Sequence, residues 1–293
     1  MLNKTPYSSQ DEISLQLDLI NHMWDKSPYL EFGPRQSESC RQHLRCIADI
    51  RVGARDEERI DVYPSEQPNS PIVVFIHGGW WRGGTRKEYG FVANGFVRRG
   101  YTVIISDYTL CPKGSIPDIT QASRAAVIWA HEHAAEINGD PERIFVTGHS
   151  AGGQQAAMMA VTPWPDYGAP MNLVKGVVPI SGIFDMSVFQ SSWIQGSLHL
   201  NGDSVRSESP LFLIKDQMPP LLVMLGEEES TEFHRQSLDF VAQLRHQKHP
   251  VEYYDVEDED HSTLLYLLGD PDSKACAAIS AFFENCIIHS RIG

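Results

Sequence analysis

Short apolar runs alternate with amphipathic stretches along most of the chain. PIVVFIHGG (71–79), YTVIISDYTL (101–110), RIFVTGHS (143–150), VKGVVPIS (174–181), PPLLVMLGE (219–227) and PVEYYDV (250–256) read as strands. Several are continuously apolar, as strands covered on both faces are. Ahead of them, IADIRV (47–52) and ERIDVYP (58–64) alternate only partly and carry charges, which predicts a half-exposed antiparallel pair at a sheet edge. Helical patterns occupy 116–137, 150–161, 230–247 and 273–288. Strand and helix taking turns implies parallel strands, right-handed crossovers and helices on both faces. The expectation is an α/β fold whose mostly parallel sheet has about eight strands, one for each strand-like segment.

Two stretches fall outside this rhythm, residues 1–45 and 182–210. Insertions after strands commonly cover active sites, so both are expected to form a small cap. With no internal repeat and no long linker, the whole of 1–293 reads as a single domain.

Composition narrows the function. The 293 residues are 42% hydrophobic and carry a formal net charge of −14. Such a surface repels polyanions, so a nucleic-acid partner is not expected. No apolar run approaches the length a bilayer requires, and the start MLNKTPYSSQDEIS lacks the basic flank and apolar stretch of a signal peptide. The chain is therefore expected to be soluble and cytoplasmic, with no membrane partner. Its five cysteines form no CxxC pair and read as free or buried thiols. A small-molecule substrate is the expected partner, and a homodimer is the assembly left open.

The chemistry concentrates in Gly148-His149-Ser150-Ala151-Gly152, where a strand-like run meets a small-residue helix. A nucleophile elbow needs a tight turn at the serine and small neighbours that let strand and helix approach. A second motif, His77-Gly78-Gly79-Trp80-Trp81, follows the run IVVFI. Loops of this type supply backbone N–H groups to an oxyanion, together with the residue after the nucleophile. Gly79, Trp80 and Ala151 are the expected donors, and Gly78 shapes the turn. Trp80 and Trp81 have two readings, as walls of an aromatic substrate pocket or as anchors of the loop against the core.

A serine hydroxyl needs a base, and the base needs a carboxylate to orient it. His261, just past the last strand-like segment, is placed for a loop to carry it to the sheet edge. His149 flanks the serine, but its side chain is expected to leave the turn in another direction. His131 and His133 stand two apart, off a common helical face, so no metal site is read there. The acid belongs in GEEES after the strand PPLLVML, where Glu227, Glu228 and Glu229 compete and spacing cannot choose. Asp258, Glu259 and Asp260 read as a solvated acidic run.

These residues resemble the kynurenine formamidase (arylformamidase) branch of the esterase/lipase α/β-hydrolases, from about Glu58 to about Leu268. The marks are HGGWW with Arg82, SDYTLCP, GDPERIFVTGHSAGG, VKGVVPISGIFD, SESPL and GEEESTEFHRQS. In that family's pattern the acid takes the third place after the glycine, which the resemblance carries to Glu229. The resemblance implies an α/β-hydrolase fold and cofactor-free hydrolysis of N-formyl-L-kynurenine, with relatives cleaving other arylformamides and small esters. Two departures bear on substrate choice: Asp260-His261-Ser262 stands where the family often has Asn-His-Phe, and the N-terminal segment matches poorly. A carboxylesterase or lactonase with the same three residues is the alternative.

Overall fold

Each segment with a strand pattern forms a strand in the computed structural model, which describes residues 7, 9–19 and 27–290. The strands are β1 (Ile47–Arg51), β2 (Arg59–Tyr63), β3 (Ser70–Ile76), β4 (Thr102–Ser106), β5 (Gly139–His149), β6 (Val174–Ile180), β7 (Leu221–Gly226) and β8 (Val251–Val256). They build one sheet in the order β1-β2-β4-β3-β5-β6-β7-β8. β2 pairs antiparallel with both β1 and β4, and all remaining pairs are parallel. The chain thus has the α/β-hydrolase fold.

The helices are α1 (Gln10–Gln16), α2 (Ser27–His43), α3 (Arg86–Tyr89), α4 (Val92–Val97), α5 (Ile116–Glu132), α6 (Ala151–Ala160), α7 (Gln195–Leu198), α8 (Gly202–Ser207), α9 (Thr231–His246), α10 (His261–Leu267) and α11 (Lys274–Ser290). The pattern located α5, α6, α9 and α11. It passed over α3, α4 and α10, which are too short to show a helical period.

Alternation along the strands divides the core between the two faces. Ile72, Val74 and Ile76 of β3 join Ile144 and Val146 of β5 against α5, α6 and α9. Val73, Phe75 and Phe145 face the other way, onto α4 and α11. A period of two thus feeds two apolar layers from one buried strand. All five cysteines are free, and burial pushes the Cys111 and Cys276 thiols up to about 11. Among the described residues, no helix is long and apolar enough to cross a membrane.

Of the expected cap, residues 1–6, 8 and 20–26 lie outside the described residues. α1 packs on the start of α9: Ile13 and Leu17 are buried, Tyr7 donates to Glu232 Oε2 at 2.8 Å, and Glu232 N–H donates to Gln16 Oε1 at 3.1 Å. Gln236, one turn further along α9, accepts from the Phe184 and Asp185 N–H groups, at 2.9 and 2.8 Å. One helix end therefore contacts both α1 and the start of the 182–210 stretch.

An unanticipated charge cluster braces the antiparallel side of the sheet. Arg86 is buried and ion-paired with Asp49, Asp61 and Asp107. Burial would raise the Asp107 pKa, but its interactions with His77, then with the Arg86 backbone N–H and guanidinium, outweigh burial and hold it below the usual value. A carboxyl depressed in this way stabilises the fold above its unfolded pKa and ceases to do so as pH falls through its folded pKa. Replacing Arg86 by Met removes the shared cation and leaves buried carboxylates uncompensated. Urea unfolding at neutral pH should show a loss of about 3–5 kcal/mol, and the variant's stability should fall less steeply than the wild type's on acidification.

Candidate active site

Parallel pairing brings the motif-bearing loops together. Ile76, the last residue of β3, is in register with Gly148, and His149 with Ile180. Gly226 at the end of β7 is in register with Val256 at the end of β8. The loops carrying His77–Trp81, Ser150, Ser181, Glu229 and His261 thus emerge at one carboxyl edge, where open α/β sheets form their sites.

Ser150 joins β5 to α6 with φ 59° and ψ −120°, a conformation that costs a non-glycine residue about 1–3 kcal/mol. Its N–H donates to the Ile180 carbonyl at 2.9 Å. The turn closes because α6 presses directly onto β3: a Cβ at Gly152 would sit 1.9 Å from the Ile76 oxygen. One at Gly78 would lie 3.1 Å from Ser150 Cβ, so the His77–Trp81 loop passes against the serine.

Of the three adjacent glutamates, Glu227 and Glu228 are exposed and Glu229 is buried. Glu229 Oε2 lies 2.7 Å from His261 Nδ1, and both side chains are nearly or fully withdrawn from solvent. Glu229 Oε1 accepts from the Ser181 hydroxyl and from the Gly226 N–H at 3.2 Å. A carboxylate so placed accepts the Nδ1 proton and leaves Nε2 as the basic nitrogen. The loop of residues 257–260 carries His261 to this edge, as expected, and His261 is the first residue of α10. Asp260 belongs to no solvated run: it caps that helix, accepting from the Ser262 and Thr263 N–H groups at 2.7 Å each.

Sequence reasoning missed two neighbours. His149 does not turn away: its ring centroid is 4.5 Å from that of His261, and its Nε2 donates to the His261 carbonyl at 2.8 Å. Burial, then the proximity of His261, drives its pKa well below the usual value, which favours the neutral ring. Ser181, which orients Glu229, stands one residue beyond β6 with φ 49°. Its position at a strand's carboxyl end was the available signal.

The N–H groups of Gly79, Trp80 and Ala151 find no acceptor among the described residues. Gly79, Trp80 and Trp81 all take positive φ, at 111°, 53° and 56°. Of the two readings of Trp81, pocket wall or loop anchor, the structure favours the second, because the residue is fully buried. Its indole N–H donates to Gln154 Oε1 at 3.0 Å and its ring meets Phe189 edge-on at 5.4 Å, so it anchors the loop. Trp80 does line a cavity of about 360 Å³ with Gly79, His149, Ser150 and His261. Leu19, Leu30, Gly33 and Pro34 close this cavity from the N-terminal side, while Phe189 and Trp193 of the 182–210 stretch back the Trp80 ring.

The fold and the relatives together make the chain a hydrolase of the esterase and formamidase type on an α/β-hydrolase scaffold. The chain belongs to the BD-FAE family, whose profile matches residues 60–244. It is similar to the kynurenine formamidase of Danio rerio, 28% identical over 241 residues that cover 80% of each chain. It is also similar to the carboxylesterase NlhH of Mycobacterium tuberculosis, 41% identical over 98 residues that cover 33% of this chain and 31% of that one. The solved esterase of Pyrobaculum calidifontis shares the fold with a TM-score of 0.72 at 18% identity, covering 94% of this chain and 97% of its own.

Burial discriminates among the glutamates in a way activity can check. Glu229→Gln should lower kcat on a p-nitrophenyl ester by about 10⁴, the scale seen when a triad acid loses its charge. Glu227→Gln and Glu228→Gln should leave it essentially unchanged.

Proposed function

We propose that the protein hydrolyses an aryl formamide, N-formyl-L-kynurenine, to kynurenine and formate through a formyl-Ser150 intermediate. The observation that carries this reading is the buried Glu229–His261 bond beside a strained Ser150 in one cavity, with amides close at hand that find no acceptor among the described residues. His261 Nε2 takes the Ser150 proton as Oγ attacks the formyl carbon, and the carbonyl oxygen gains negative charge. The Gly79, Trp80 and Ala151 amides stabilise that charge, with Gly78 keeping the loop close. Collapse breaks the C–N bond, and the imidazolium gives its proton to the leaving arylamine nitrogen. Water, deprotonated by the same nitrogen, then attacks the formyl ester and releases formate and the free hydroxyl. Residues 1–45 and 182–210 act as the cap, the first through Leu19, Leu30, Gly33 and Pro34 at the cavity and the second by supporting Trp80, an aromatic wall suited to an aryl group.

The formamide is favoured by the Danio rerio relative, whose match extends over most of both chains. A carboxylesterase or lactonase working by the same steps is the second reading, favoured by the shorter but closer match to NlhH. A substrate panel separates them. Wild type should turn over N-formylkynurenine at least as efficiently as a short p-nitrophenyl ester, and Ser150→Ala should lower both rates by about 10⁶. Efficient ester cleavage with an untouched formamide would select the second reading, and activity surviving in Ser150→Ala would end both.

A further inference from the structure

A buried polar chain runs behind the Gly79–Trp81 loop, beyond any group that would touch substrate. Gln154, in the first turn of α6, accepts the Trp81 indole N–H at 3.0 Å and a Gln155 N–H at 2.8 Å. Its own Nε2 donates to the Glu208 carbonyl at 2.9 Å. Gln155 also donates to the Thr120 hydroxyl at 3.1 Å, and that hydroxyl donates to Glu208 Oε2 at 2.6 Å. Trp81, Gln154, Gln155 and Thr120 are fully buried, and Glu208 is 5% exposed. Four parts of the fold meet here: the loop after β3, the helix carrying Ser150, α5, and the end of α8 inside the 182–210 stretch.

This placement has a consequence for the loop. Trp80 and Trp81 occupy left-handed conformations in succession, and such strain persists only where the surroundings over-determine it. The Trp81 carbonyl is tied to the Cys111 N–H at 2.8 Å, and its side chain is tied to Gln154. A Phe at position 81 could keep much of the apolar packing, so the hydrogen bond is the part that specifies where the loop stops. Gln154 is also fixed to the nucleophile, since its backbone N–H donates to the Ser150 carbonyl at 3.1 Å. One residue therefore holds the loop by its side chain and the elbow by its backbone.

We infer that Gln154 is a positioning residue for acyl transfer: bonded to the Trp81 indole on one side and the Glu208 carbonyl on the other, it sets the Gly79 and Trp80 amides against Ser150 and links that alignment to the cap. The inference rests on the reading of those amides as oxyanion donors.

Three variants test it: Gln154→Met, which keeps the side chain's length but none of its hydrogen bonds, Trp81→Phe, which removes the indole donor, and the double variant. Each is assayed on p-nitrophenyl butyrate below its measured Tm, with inhibition by a trifluoromethyl ketone, which mimics the tetrahedral oxyanion, measured in parallel. Either single change should lower kcat roughly ten- to a hundredfold, the scale of a reacting group misplaced by about an ångström. KM should stay within about twofold, because the lost interaction acts in the transition state. Ketone affinity should fall in step with kcat/KM, and the double variant should be no worse than Gln154→Met. Unchanged kcat, a loss carried by KM, or losses that multiply in the double variant would overturn the inference. If Gln154→Met does not fold, Trp81→Phe decides alone by the same kcat and ketone criteria. An inactive wild type would remove the acyl-transfer reading itself, a result distinct from active wild type with indifferent variants.

Discussion

The structure depends on one constraint, the bend at Ser150. A residue held at φ 59° and ψ −120° is stable only if neighbouring backbone leaves it no alternative. Here three parallel strands enforce the bend. β5 lies between β3 and β6, the Ser150 N–H is taken by the last residue of β6, and α6 lies so close to β3 that no side chain fits at Gly152. The loop after β3 also passes against this bend, since a Cβ at Gly78 would lie 3.1 Å from Ser150 Cβ.

Buried carboxylates show how the surrounding interior is balanced. Asp107 is kept charged by His77 and Arg86. Glu229 shares its oxygens among His261, Ser181 and a backbone N–H, which is the satisfaction an internal anion requires. Glu208 is different: burial raises its pKa, and the Thr120 hydrogen bond opposes that only in part. The groups around it, Thr120, Gln154 and Gln155, are fully buried, a setting in which hydrogen bonds are strong and an unmade one is costly.

Much of the fold was legible because strands buried on both faces must be apolar throughout; the antiparallel pair was legible too, but only β1 is half-exposed, while β2 is almost wholly buried, its Asp61 being paired with Arg86 rather than facing solvent. Ser150 and the HGG loop were legible because a tight turn restricts composition. The choice among Glu227, Glu228 and Glu229 was not, since burial of the third depends on how the chain turns after Gly226, and only the family resemblance pointed to it. The choice between the two readings of Trp81, and the direction of the His149 ring, stayed open or went astray for a related reason: side-chain direction in a positive-φ loop or a strained elbow follows no simple period. The Arg86 cluster and the Gln154 chain join residues far apart in sequence, which local patterning cannot reveal. Short helices such as α10 stayed hidden, and with them the capping role of Asp260.

The most direct measurement is the intact mass of the folded protein after exposure to an organophosphonate, with peptide mapping of any adduct. The account predicts a single adduct, located on Ser150, absent from Ser150→Ala and formed far more slowly in His261→Ala. A folded protein that takes up no phosphonate, or takes it up on another residue, would contradict it.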